Sequence, residues 1–183
     1  MQASVKMSNS ESNEASTLIV ESIKLGACGW NHAHWQGGFY PDDLPLDWRL
    51  SYYSNEFSAV LLTEKQWREN FLQLEALAFD VDEHFGFYLQ SRAPLKSEEQ
   101  NRLSEVLGSK LATVVNVCVN GVNTEIDHEA GVAVINMASK DMRGWRQWLE
   151  QHGASLRAIF LKDESPSCQQ MSDFNALLEL MGL

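Results

Sequence analysis

Two histidines and four aromatic side chains lie close together between residues 25 and 41, in the stretch LGACGWNHAHWQGGFYP. The imidazoles of His32 and His34 titrate near neutral pH and are suited to general acid–base catalysis. Their i, i+2 spacing lets both bind one metal ion only in a bent loop, with a third ligand from a distant segment. We therefore expect no metal site and no cofactor. The simplest structural interpretation has His34 hydrogen-bonded within the loop and His32 in solvent.

A catalytic His34 would need a carboxylate to orient its ring. Glu64 and Asp163 each follow a predicted strand, and in α/β folds the loops after the strands form the pocket. His34 with Asp163 or Glu64 would suit a hydrolase or isomerase that acts on a small polar substrate. The charges at 162–164 are equally typical of a solvated loop, so the sequence leaves enzymatic activity open.

The aromatic side chains of the same stretch favour a structural or binding role over chemistry by the histidines. Bulky rings beside glycines can form a stacking surface for a planar or sugar-like ligand, with an indole N–H as donor. They can also form an aromatic plug at one end of a sheet. Together with polar residues at the ends of later predicted strands, eight residues are assigned to ligand binding: Trp30, His32, His34, Trp35, Tyr40, Gln90, Arg92 and Lys162.

The cysteines at 28, 118 and 168 are widely spaced and form no C-x-x-C pair. This pattern predicts buried thiols in a reducing cytoplasm rather than a disulfide or a zinc site. Cys28 precedes Gly29 at the end of a predicted strand, where small residues commonly allow a sharp turn. A nucleophilic role would require a neighbour that stabilises its thiolate.

The composition argues against two classes of partner. The chain has 14 Lys and Arg against 25 Asp and Glu, a formal charge of −11 that would repel a phosphate backbone. No run approaches the roughly 18 apolar residues of a membrane span. The start also lacks the basic and apolar segments of a signal peptide. We therefore expect a cytoplasmic protein that binds neither nucleic acid nor membranes.

Apolar runs and helical periodicity predict the elements that must position these residues. We expect a disordered tail over 1–20 and a single α/β domain over 21–183. Intervening helices, including one long helix over 64–79, indicate a mainly parallel sheet with right-handed crossovers. The stretch 120–131 has no helical pattern and reads as a hairpin or as a shortened part of a larger fold. The predicted strands lie at 23–28, 59–63, 85–90, 112–119, 132–137 and 156–161.

Glycines and aromatic residues follow a specific order, G-W, then H-W-x-G-x-F-Y-P, then Y-Y within twelve residues of the proline. The residues concerned are Gly29, Trp30, His34, Trp35, Gly37, Phe39, Tyr40, Pro41, Leu44, Trp48, Tyr52, Tyr53 and Phe57. This order resembles the opening of the YecE-like family, a bacterial group of TIM-barrel proteins of unknown function. The resemblance implies a barrel-type α/β fold.

The chain departs from that family in its length and at the barrel mouth. Eight strand–helix units typically need roughly 200 to 250 residues, more than the 183 present. A glutamate and an asparagine of the family fall here on Leu61 and Thr63, and the family's Arg- and His-bearing middle has no counterpart. The resemblance therefore implies a reduced or incomplete TIM-type barrel, with about six mainly parallel strands flanked by helices.

These departures favour a non-catalytic module that binds a small molecule or a protein partner. An incomplete barrel would leave a sheet edge unpaired, which is an aggregation hazard unless something covers it. We therefore expect a homodimer, or a loop of the same chain, at the open edge.

Overall fold

The computed structural model describes residues 22–119, 124–162 and 167–183. The tail predicted over 1–20 lies outside the described residues, and so does Asp163. The strands are β1 Lys24–Cys28, β2 Ala59–Leu62, β3 Gly86–Gln90, β4 Leu111–Val115, β5 Glu125–Asp127, β6 Val132–Ile135 and β7 Ala158–Leu161. The α-helices are α1 Arg49–Ser54, α2 Glu64–Glu69, α3 Leu74–Phe79, α4 Ser97–Leu107, α5 Met142–His152 and α6 Cys168–Met181.

The seven strands form one sheet in the order β4-β3-β2-β1-β7-β6-β5. Neighbouring strands are parallel, except that β5 runs antiparallel to β6. Strands β2, β6 and β7 are apolar and buried at every position, as expected for strands covered on both faces. Helices connect most of the parallel strands, which confirms the predicted α/β framework.

Alternate residues of each strand face two different apolar cores. In β7, Ile159 and Leu161 belong to the large core beneath the helices. Ala158 and Phe160 belong to a smaller core enclosed by the sheet. This alternation follows from the two-residue period of a strand.

The inner core shows that the sheet curls on itself. Val115 and Val117, at one end of the strand order, belong to the same cluster of buried residues as Val132 and Val134 near the other end. The sheet is therefore a nearly closed barrel flanked by helices, which confirms the expected incomplete TIM-type architecture.

A seam separates β5 from β4 and its continuation to Val119. Two carboxylates bridge this seam: Asp127 Oδ2 accepts from the backbone N–H of Asn116 at 3.0 Å, and Glu125 Oε2 accepts from that of Cys118 at 2.8 Å. Within the described residues, no backbone ladder joins β4 to β5. The seam is thus bridged by side chains and is not closed by strand pairing.

The elements differ from the sequence predictions at three places. Strand β5 adds to the six predicted strands and forms an antiparallel hairpin with β6, which turns at 128–131. The pair Asn120-Gly121, at which the predicted hairpin would turn, lies outside the described residues. Strand β4 ends at Val115 instead of 119, because the next residues bond to side chains across the seam. The single helix predicted over 64–79 is two helices separated by a 3₁₀ turn, Phe71–Gln73.

Candidate functional site

The aromatic loop after β1 is fixed to the core. Trp35 and Tyr40 are 2% and 0% exposed. The Tyr40 hydroxyl donates to the carbonyl of Trp30 at 2.6 Å. Trp35 also stacks on Tyr53 of α1, with ring centroids 6.1 Å apart and planes at 9°. Two of the residues assigned to ligand binding, Trp35 and Tyr40, are therefore buried in the fold, where they hold the loop.

Tyr53 joins this loop to the sheet. Its hydroxyl accepts from Ala27 N–H at 2.8 Å and donates to the Ala59 carbonyl at 2.9 Å, so it links β1 to β2. Burial raises the pKa of Tyr53 above its ordinary value, so the phenol stays protonated at neutral pH. A Cβ at Gly26 would overlap the Ala59 carbonyl oxygen, which explains a glycine at that position.

Arg49, at the start of α1, is a buried residue whose side chain forms hydrogen bonds to the same loop. Its side chain donates to Asn31 Oδ1 at 2.6 Å and to Gln36 Oε1, and its guanidinium carbon lies 5.0 Å from the centroid of the Tyr40 ring. Arg49 is only 7% exposed, and its Nε has no hydrogen-bond partner among the described residues. No feature of the sequence signals this role, because a lone arginine at a helix start is usually solvated.

The two histidines of the loop have different surroundings. The ring of His32 lies 4.4 Å from that of Trp35, and its Nε2 is 3.3 Å from the Gly29 carbonyl oxygen. Burial lowers the pKa of His32, so the ring is neutral at pH 7. His32 is half-buried, which corrects the expectation of a solvated ring. His34 is exposed, with its ring centroid 5.5 Å from that of His32.

Glu64 is part of an ion-pair network. Its carboxylate accepts from the backbone N–H of Arg92 at 3.2 Å and from Nε of Arg68 at 3.0 Å. These hydrogen bonds lower the pKa of Glu64, the backbone bond most strongly. Arg68 in turn donates to Glu99 of α4 at 2.5 Å. Both carboxylate oxygens of Glu64 therefore accept hydrogen bonds. These bonds connect the end of β2 to the end of β3 and, through Arg68, to α4.

Gln90 and Lys162, which the sequence also predicts to bind a ligand, form hydrogen bonds across the barrel mouth. The mouth is the end of the barrel where the parallel strands finish. Gln90 is 6% exposed, and its Nε2 donates to the Val117 carbonyl at 2.7 Å. Lys162 Nζ donates to the Cys118 carbonyl at 3.4 Å. Arg92, by contrast, is exposed. The mouth is thus spanned by contacts from β3 and from the end of β7 to the segment after β4.

An open groove lies beside the mouth, between the aromatic loop and the helices α1 to α3. Its volume is about 410 Å³. We call it the Trp30 groove, because Trp30 is the half-buried aromatic residue in its wall. Apolar residues such as Leu50 and Leu62 also line it. Its other polar lining residues are Asn31, Asp47, Gln66, Asn70 and Gln73.

The groove region matches a known protein family. Residues 24–92 match the family model described as protein of unknown function DUF72. No curated protein matches the chain, and neither does any solved structure. The DUF72-matched segment runs from β1 just past the end of β3, so it includes the aromatic loop and every residue that lines the Trp30 groove.

The contacts that span the barrel mouth depend on residues outside the DUF72-matched segment. Gln90 lies inside it, but its acceptor at Val117 does not, and the Lys162–Cys118 contact lies wholly outside. The matched segment therefore supplies the whole groove, whereas the contacts across the mouth also need residues outside it.

The described residues contain no group of side chains suited to hold a metal ion and no helix that could span a membrane. Nowhere in 22–119, 124–162 and 167–183 do three His, Cys, Asp or Glu side chains group as metal ligands would. Within the same ranges, no helix has the length and apolar character needed to cross a membrane. Cys118 is exposed, which corrects the expectation of three buried thiols. Cys168 is half-buried, and burial raises its pKa to about 11.

Proposed function

We propose that this chain is a bacterial, cytoplasmic binding module related to the YecE-like barrels, and that it holds a small sugar-like ligand in the Trp30 groove without catalysing a reaction. The observation that carries this proposal is the filled barrel mouth. TIM-barrel enzymes place their reacting groups in the loops above the strand ends. Here Gln90 and Lys162 donate to the chain's own carbonyls at that position.

The inner core directly below the mouth is also filled. Leu61 and Phe160 are 0% exposed, and the Tyr88 and Phe160 ring centroids lie 4.9 Å apart. Val117 packs in the same cluster from the segment after β4. A substrate entering the barrel from its mouth would have to displace these side chains, whereas a ligand can enter the Trp30 groove without displacing any.

The chemistry of the groove suits a ligand rich in hydroxyl groups. The Trp30 indole offers a face on which a sugar ring can stack. The amide oxygens of Asn31 and Gln66 accept from Arg49 and Thr63, which leaves the NH2 group of each amide to donate to a ligand. Asn70 uses its own NH2 on the Gln66 carbonyl, so its amide oxygen is left to accept. Asp47 adds a carboxylate acceptor to the same lining.

Isothermal titration calorimetry with neutral mono- and disaccharides tests the proposal. We expect saturable binding that becomes about fivefold weaker in Trp30→Ala, because a lost stacking contact is worth about one kcal/mol. Phe79→Ala is the matched control, since Phe79 is an aromatic residue that is 90% exposed and outside the groove lining. Affinity in that variant should equal the wild-type value.

The competing function is a hydrolase or isomerase that uses His34 with Asp163 or Glu64. A broad hydrolase substrate screen on the wild-type protein and on His34→Ala separates the two functions. Turnover that disappears in His34→Ala would contradict the binding-module proposal. Sugar binding that is unchanged in Trp30→Ala would contradict the groove assignment.

We also propose that two copies of the chain pair through β4, as expected for an open edge. The supporting feature is that β4 pairs with β3 on one side and meets β5 only through the carboxylates of the seam. An unpaired parallel edge of this kind can accept a further strand.

A further inference from the structure

The opposite end of the barrel, where the strands begin, contains a second cavity with an inward-facing lysine. Leu25 and Ala27 of β1 pack in the outer core, so Lys24 lies on the face of β1 that looks into the barrel. Its Nζ donates to the His84 carbonyl at 2.7 Å and lies 3.4 Å from the position a Cβ at Gly86 would take. The amine is therefore held across the opening of the barrel.

Small residues leave room around this amine. Ala59 and Ala158 face the barrel interior from neighbouring strands, and Gly86 and Ala112 line the cavity itself. The volume is about 690 Å³, within the range of small-molecule pockets, and Tyr88 forms its inner wall. We call it the lumen cavity. It lies at the far end of the strands from the Trp30 groove.

The charges of the lumen cavity are opposite to those of the whole chain. Its lining holds two cations, Lys24 and Arg157, against one carboxylate, Glu83, while the chain has a formal charge of −11. Hydroxyl groups at the same opening come from Ser22, Ser58 and Ser109. The two cations and the three hydroxyls supply more hydrogen-bond donors than the single carboxylate can occupy, and these donors complement an oxyanion.

We propose that the lumen cavity binds a small organic anion, with a phosphate or carboxylate group at Lys24 and Arg157 and the remainder of the molecule against Tyr88. An oxyanion there replaces part of the hydration lost by the half-buried Lys24 amine. Because the cavity and the Trp30 groove share no residue, this site is independent of the proposed sugar site.

Amide chemical shifts of the full chain during titration with inorganic phosphate, and separately with citrate, test the proposal. We expect saturable shifts at Gly86 and Ala112 with at least one of the two anions, and none with sodium chloride at equal ionic strength. The anion that saturates at lower concentration identifies the preferred head group. Shifts that rise linearly, or that chloride reproduces, would overturn the proposal.

Two charge-removing variants test which residues hold the anion. Arg157→Gln should weaken binding about tenfold, since a charged hydrogen bond is lost. Arg157 is exposed, so this variant should fold even if Lys24→Gln does not. Lys65→Gln is the matched control, because that lysine is 81% exposed and pairs with Glu69 on α2. Equal weakening in the control would show a general charge effect and overturn the site.

Discussion

The carboxylate of Asp127 accepts a hydrogen bond from the backbone N–H of Asn116 at 3.0 Å, and so connects β5 to the segment after β4 across the seam of the barrel. Its other oxygen accepts from the backbone N–H groups of Glu129 and Ala130, at 3.1 and 3.0 Å. One side chain thus shapes the turn between β5 and β6 and connects that hairpin to the continuation of β4.

Removing this carboxylate should open the seam. Asp127→Ala loses all three hydrogen bonds, and we expect the free energy of unfolding to fall by about 2 kcal/mol in urea denaturation. Hydrogen exchange at the Asn116 amide should accelerate as well. Glu129→Ala removes a neighbouring exposed carboxylate and should change stability by less than about 0.5 kcal/mol. Equal stabilities of the two variants would refute the role of Asp127.

The Tyr53 hydroxyl provides a second test of how the aromatic loop is built. Tyr53→Phe leaves the Ala27 N–H and the Ala59 carbonyl without their buried partner, so we expect a loss of about 1 to 3 kcal/mol in stability. Tyr52→Phe is the matched control on the same helix, because Tyr52 is only half-buried. If both variants unfold at the same denaturant concentration, the hydroxyl bridge contributes nothing.

Stability should depend on pH through His32. Because the folded-state pKa of His32 lies below its ordinary value of 6.5, the unfolded chain binds the proton first as the pH falls. The contribution of a neutral His32 is therefore complete above about pH 6.5 and is lost as the pH falls toward the folded-state pKa. The thermal midpoint of the wild-type protein should therefore fall between about pH 7.5 and 5.5. His32→Asn should make this fall smaller. The exposed His84 gives the control, and His84→Asn should keep the wild-type slope.

The proposed dimer depends on the free edge of β4. The Val115 carbonyl accepts from Ser91 on the β3 side, while the Asn116 N–H faces Asp127 across the seam. Backbone groups alternate between the two edges, so the Val114 N–H faces the seam.

Val114→Pro removes that donor without breaking the β3–β4 ladder. Light scattering at about 0.5 mM should show a wild-type dimer and a Val114→Pro monomer, with Val114→Thr as a dimeric control. A monomeric wild-type protein at that concentration would contradict the pairing of β4 edges.

The sequence is informative where burial alone decides the structure. Short apolar runs predict β1, β2, β3, β6 and β7, because both faces of each strand are covered. β5 could not be predicted in this way, since Glu125–Asp127 holds two acids and no apolar run. Its place in the sheet depends on the antiparallel pairing with β6, and its two acids bond to Asn116 and Cys118 across the seam.

Prediction of the candidate site from the sequence has the same limit. Trp30 was selected from its position after a strand, and it lines the groove. Gln66 and Asn70 were not selected, because their approach to Trp30 depends on how α2 packs against the aromatic loop. The break after α2 had no clear signal, since the apolar stripe of Trp67, Phe71 and Leu74 continues through it.

The most direct test of the binding-module account is an amide chemical-shift map of the wild-type protein with the tightest-binding neutral sugar. We expect saturable shifts at the Trp30 indole N–H and at the side-chain amides of Asn31 and Gln66, with no change at Gln90. Two results would contradict the binding module. One is a set of saturable shifts centred on His34 and Gln90. The other is the absence of a saturable shift with any sugar up to about 100 mM, a concentration well above the dissociation constant of a weak specific site.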